Sequence, residues 1–205
     1  MSYNTPIECS PLPSSKDNTT GHFNLPQINS DRGEFMRLQL GPNAYDVSTE
    51  LLRLGQDVNE GLYETPFFPG DCATFALQTR AKSMGLEPSL AGIKPEQVIV
   101  SAEPFRLATK PPRTKLGEIV LMQNYLYPDS ANDNSAEAVF HYAVDAGGGV
   151  DGSRFLGKRQ PRIFISKRGR SGPVVLSPYE ALARDYAPTH VSIIGEVGIQ
   201  GVLLN

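Results

Sequence analysis

Five strand-forming stretches follow one another in the middle of this 205-residue chain, with no helix-forming stretch between them. Gln97–Ser101, Phe105–Thr109, Glu118–Tyr125, Glu137–Asp145 and Arg162–Ser166 carry β-branched or aromatic residues between turn signals. Parallel neighbours need a long, usually helical, crossover, so this succession predicts a mostly antiparallel sheet and an α+β fold. Helices are expected on either side of the strand region. Asn43–Leu54 places Tyr45, Val47, Leu51, Leu52 and Leu54 on a short amphipathic helix ended by Gly55. Asp71–Met84 begins acidic, carries Lys82 near its end and is followed by Gly85 as a stop. Ser177-Pro178-Tyr179-Glu180 has the form of a capping box with proline at the first helical position, starting a helix to about Tyr186. His190–Val197 and Ile199–Leu204 read as a closing strand pair around Gly198.

Residues 1–33 differ in composition from the rest. Ser, Thr, Asn, Pro and Gly fill 18 of these 33 positions, so too little apolar surface is present to offset the entropy of ordering. A flexible polar leader is therefore expected over 1–33, with the folded domain over 34–205. Cys9 and His22 fall in that leader and outside the expected site. The leader has no basic n-region followed by an apolar h-region, which predicts synthesis in the cytoplasm without a Sec signal and export, if any, by a non-Sec route. A net charge of −3 disfavours nucleic acid as a partner, because phosphate neutralisation wants a basic surface. No apolar run approaches the roughly 18 to 20 residues of a membrane span. Two cysteines and three histidines make neither a disulfide scaffold nor a ready metal site, so no cofactor is expected.

Chemistry concentrates on two residues. Pro69-Gly70-Asp71-Cys72-Ala73 places Cys72 in the first turn of a helix, where exposed N–H groups and the macrodipole favour a thiolate, the nucleophilic form. The alternative is a buried free cysteine, which is common. His141 lies in the β-forming run Ala138–Val144, whose alternation puts Val139, His141 and Ala143 on one face. A histidine among small neighbours can meet a helix N-terminus packed on that face and serve as base to the thiol and acid to the leaving group.

Three ordered blocks resemble the NlpC/P60 branch of the papain-like cysteine hydrolases. Asp71-Cys72-Ala73-Thr74-Phe75 is similar to the family's Asp-Cys-Ser-Gly-Phe/Leu nucleophile block, Leu116-Gly117-Glu118-Ile119-Val120-Leu121 to its Gly-Asp strand entry, and His141-Tyr142-Ala143-Val144 to its histidine strand. Ala73-Thr74 in place of Ser-Gly, and Glu118 in place of Asp, mark a diverged member. The resemblance implies a nucleophile helix packed on an antiparallel sheet, and attack on an amide carbonyl through a thioester. It implies that the third catalytic member sits on the strand after the histidine strand, which makes Ser166 the positional candidate, with Gln160 and Asp145 as rivals. It also implies an oxyanion site of the Cys72 N–H and a second donor. Papain's glutamine position is Pro66 here, so Tyr63, with Asp71 beside the nucleophile, is the substrate-side candidate.

Seven of the 19 cations lie between Arg154 and Arg170 with no acidic residue among them, which offers a basic rim beside the expected site or a solvated hairpin. The expectation that follows is a cysteine peptidase or amidase of the cell-wall type, acting on a peptide. Its rivals are a secreted effector or toxin that deamidates or cleaves a protein, with an inhibitor or immunity protein as partner, and an inert papain-like binding module.

Overall fold

The computed structural model describes residues 7–8, 21–28, 33–61, 72–86, 97–125, 138–150, 161–169 and 172–199. In chain order these contain strands β1 (Ile7–Glu8), β2 (Phe23–Asn24), β3 (Phe35–Leu40) and β4 (Asn43–Ser48), helices α1 (Thr49–Gly61) and α2 (Cys72–Ser83), and strands β5 (Val98–Ala102), β6 (Arg106–Leu107), β7 (Ile119–Tyr125), β8 (Ala138–Gly149), β9 (Arg162–Lys167) and β10 (Val174–Pro178). Helix α3 (Tyr179–Tyr186) and strand β11 (His190–Ile199) follow. The fold is α+β. One sheet runs β1-β3-β4-β8-β7-β11-β5, with β9 also on β8, β10 on β9, β2 on β10 and β6 on β11. Every described pairing except β1 with β3 is antiparallel.

The sheet is covered on both faces. Helices α1 and α2 share one core with Val144, Ile165, Ile119 and Leu176. Helix α3 closes a second core on the opposite face, where Tyr179 and Leu182 pack on Val120, Met122, Ala143, Phe164 and Val191. Helix α2 is buried nearly all round, from Thr74 to Thr79 and at Ala81, which is why it shows no polar face. Arg80 ties its last turn to β11, with Nε 2.9 Å and Nη2 2.5 Å from the Gly195 carbonyl.

Four sequence expectations are corrected. Asn43–Ser48 is a strand rather than the start of a helix; Tyr45 and Val47 are buried on one face at period two, and Gly41 at φ +58° turns the β3–β4 hairpin. Helix α1 starts at Thr49, where the Ser48 hydroxyl accepts the Leu51 N–H at 3.3 Å. Gly55 does not stop that helix. It lies inside it, and its missing side chain makes room for the sheet, since a Cβ there would stand 2.5 Å from Ile165 Cδ1. The closing pair is a single strand, β11, in which Gly198 pairs with Ile99; residues 200–205 lie outside the described residues.

The fourth correction concerns the leader. Phe23 is buried in the main core and β2 pairs with β10. The Pro26 carbonyl accepts from Gln56 at 3.2 Å. Residues 21–28 are thus part of the packed body, and two apolar anchors, Phe23 and Leu25, outweigh the polar composition around them.

Candidate active site

Cys72 is the first residue of α2, half-buried and in no disulfide. Its Sγ lies 3.9 Å from the Phe140 carbonyl oxygen on β8. The pairing pattern of β8 explains why that carbonyl is open. The Asp145 N–H bonds the Glu118 carbonyl, and its own carbonyl accepts from Gly117, so odd-numbered residues there spend their backbone groups on the β7 side. Even-numbered residues point theirs to the other edge, where the register with β9 begins at Val144. Phe140 stands beyond that pairing, and the thiol meets its carbonyl. By bond lengths alone, the sulfur then lies within about 8 Å of the His141 Cα.

His141 is 1% exposed, and its ring lies against Tyr186, 3.8 Å between centroids and 9° from parallel. The expectation that His141 faces the nucleophile helix is corrected. The core with α2 takes the even residues Tyr142 and Val144, and His141 points to the α3 face with Ala143. Cys72 meets the backbone beside His141 at an edge of β8 that no described strand covers, not across one sheet face. Burial, with smaller contributions from Arg168 and His22, pushes the His141 pKa down to about 3. The imidazole is neutral, and its Nε2 is buried without a hydrogen-bond partner among the described residues.

Ser166 shares that face. Val175 pairs with Ser166, and Phe164 pairs with both Ser177 and Asp145, which puts Ser166 and the odd residues of β8 on the same side. Its hydroxyl is fully buried and likewise unpartnered among the described residues. Two orphaned polar atoms on one face are costly, at about 1–3 kcal/mol each, and folded proteins keep few of them.

Asp145 is removed as a rival orienter. It is fully buried and held by Arg162, with Nε 2.7 Å from Oδ2 and Nη2 2.5 Å from Oδ1, as well as by the Thr114 hydroxyl and the Gly147 N–H. Gln160, Tyr63, Asp71 and Pro66 lie outside the described residues. The basic rim is also corrected where it is described. Arg162 is consumed by Asp145, Lys167 is buried with Nζ on Asn59 and the Gly172 carbonyl, and Arg168 bonds Asp185. Arg154, Lys158, Arg159 and Arg170 lie outside the described residues.

A polar group beside His141 has no counterpart among the sequence expectations. His22 Nδ1 lies 2.6 Å from Ser177 Oγ, and His22 Nε2 lies 2.6 Å from Asp185 Oδ2. A carboxylate only accepts, so Nε2 carries the proton and the Ser177 hydroxyl donates to Nδ1. Arg168 Nη2 donates to the same Asp185 oxygen at 2.9 Å. Ser177 therefore does not cap α3. The helix has Pro178 at its N-cap with no side-chain cap bond, which corrects the capping-box expectation. Serine, histidine and aspartate meet here, but Ser177 is 0% and His22 1% exposed, so no substrate reaches them. One signal in the sequence was available: Gly21-His22-Phe23 interrupts the polar run with a bulky apolar side chain.

Among the described residues no cluster of three or more His, Cys, Asp or Glu could hold a metal, and no helix is long and apolar enough to cross a membrane. No family model, no curated protein and no solved structure matches the chain.

Proposed function

We propose that this protein is a diverged papain-like cysteine hydrolase of the NlpC/P60 type, acting on an amide bond of a peptide or protein. The observation that carries it is the contact of Cys72, at the head of α2, with the carbonyl of the residue preceding His141. In this reading the thiol proton passes to His141 and the sulfur attacks the amide carbon. The oxyanion is met by the Cys72 N–H at the head of α2. His141 then protonates the leaving amine, and water hydrolyses the thioester to regenerate the thiol. Ser166 is the orienter of the imidazole. A cell-wall peptide is the substrate class the resemblance implies, and a protein target of a secreted effector is the close alternative.

A second reading, an inert binding module on the same fold, is favoured by the sealed His141 ring, since a base with a pKa of about 3 is poorly matched to neutral pH. Intact-mass analysis with a peptidyl vinyl sulfone separates the two. The hydrolase reading expects labelling of Cys72 at pH 7 that falls at least 100-fold in His141→Ala. Equal labelling of both proteins supports the module. Mass spectrometry of wall fragments and candidate proteins, treated with wild type and with Cys72→Ala, then sorts the substrates.

A further inference from the structure

The base of the proposed site is closed by a particular chain of contacts. Tyr186, the last residue of α3, covers one face of the His141 ring. Its neighbour Asp185 is held by two groups from other parts of the chain, His22 Nε2 at 2.6 Å and Arg168 Nη2 at 2.9 Å. His22 is itself fixed by Ser177 at 2.6 Å, at the junction where β10 becomes α3. The N-terminal segment thus grips α3 at both ends, through Ser177 before it and Asp185 at its last turn.

That helix is short, at eight residues, and has no side-chain cap at its start. It ends in Ala187 at φ +39°, a left-handed conformation that a non-glycine residue adopts only under constraint. A helix of this kind depends on outside contacts for its position. Behind it lie His141 Nε2 and Ser166 Oγ, which have no hydrogen-bond partner among the described residues. A base sealed in this way exchanges no proton with a substrate, so the described arrangement is a closed one.

We propose that the N-terminal segment is an autoinhibitory latch: through His22 it holds Asp185, and with it Tyr186, over the His141 ring, and the site opens when that hold is released. The latch rests on the hydrolase reading for its purpose, but its mechanics are independent of catalysis. Removal or displacement of the segment by proteolysis or by a bound partner would let the end of α3 move and expose the imidazole.

The experiment uses the full chain and reads histidine access directly. Wild type, His22→Ala and Ser177→Ala are treated with diethylpyrocarbonate, and modification of His141 is followed by peptide mass spectrometry, with partly exposed His190 as internal reference. Circular dichroism confirms that each variant is folded. The latch expects His141 to be modified at least 10-fold faster in His22→Ala, and several-fold faster in Ser177→Ala, than in wild type. Modification within 2-fold of wild type in both folded variants overturns it. If His22→Ala does not fold, Asp185→Ala decides, since it releases the end of α3 from His22 and leaves the Tyr186 cover in place. An exposed His141 there supports the latch and a sealed one overturns it. If His141 opens but vinyl sulfone labelling of Cys72 is the same in His22→Ala and in His22→Ala/His141→Ala, the latch stands and the hydrolase reading fails.

Discussion

Ser177 and His22, separated by 155 residues of sequence, meet at 2.6 Å inside the protein. This contact anchors a segment whose composition reads as solvated chain. It makes the segment a contributor to stability, together with Phe23 in the main core and the two-residue pairing of β2 with β10.

Truncating that anchor should therefore be felt globally. Phe23→Ala is expected to lower the unfolding free energy by about 3 kcal/mol, as a large-to-small substitution in a packed core does. Deletion of residues 1–28 should lower the melting temperature by more than Phe23→Ala does. Denaturant melts of the two variants check this. A deletion that leaves the midpoint unchanged would show that the segment merely rests on the domain.

Acid should destabilise the protein from just below neutrality. The pKa values of His22 and His141 are both pushed below 6.5, first by burial, so the unfolded chain takes up their protons before the folded one does. The stability they contribute is complete above pH 6.5 and is lost as the pH falls, for His141 until about pH 3. Each group contributes a slope of about 1.4 kcal/mol per pH unit within its window. Urea midpoints measured between pH 7.5 and 4.5 should fall steadily in wild type. They should fall less steeply in His141→Gln.

Much of what positions the site was legible. The helix starting at Cys72 and the strands around Ile119, His141 and Ile165 were marked by local signals: a Gly-rich entry, then β-branched runs at period two. Asn43–Ser48 reads as helix in the sequence because Tyr45 and Val47 fit both periods, and the helix that follows supplies the rest of the pattern. The face of His141 was not legible. Alternation says which residues share a face but not which helix covers it, and here α3, not α2, does so. Ser177 reads as a cap because local rules see four residues at a time, whereas its partner, His22, lies 155 residues away in sequence.

Asp145 should prove structural. Asp145→Ala would leave Arg162 partly buried and unpaired, and removal of one member of a buried pair costs about 3–5 kcal/mol. The folded fraction should still label at Cys72 at the wild-type rate. A normal melting temperature with lost labelling would reverse the assignment and restore Asp145 as a partner of His141.

Gly147→Ala tests the close approach of β4 to β8. A Cβ at this position would stand 2.0 Å from the Asp46 carbonyl oxygen, a backbone atom that cannot swing aside. The pairing of Asp46 and Val47 with Gly148 and Gly147 must then open. A loss of about 3 kcal/mol is expected, at the upper end of overpacking costs. A melt within 1 °C of wild type would show that the two strands can separate without cost.

Ser166 separates orientation from packing. Its hydroxyl is fully buried and has no partner among the described residues, so its removal takes away a desolvated polar atom and leaves a space of one oxygen. Ser166→Ala should therefore keep the stability of wild type or raise it by up to about 1 kcal/mol. A serine that serves packing alone would show this and nothing more. If the hydroxyl turns to His141 when the site opens, the same variant should also lower turnover by about 10-fold to 100-fold, roughly 1.4–2.7 kcal/mol in the barrier. Ser166→Thr, which keeps the hydroxyl, should recover part of that loss at some cost in packing. Stability that rises while turnover falls is the signature of a group kept for chemistry. Stability that rises with turnover unchanged would remove Ser166 from the site and leave His141 to be oriented by Tyr186 alone.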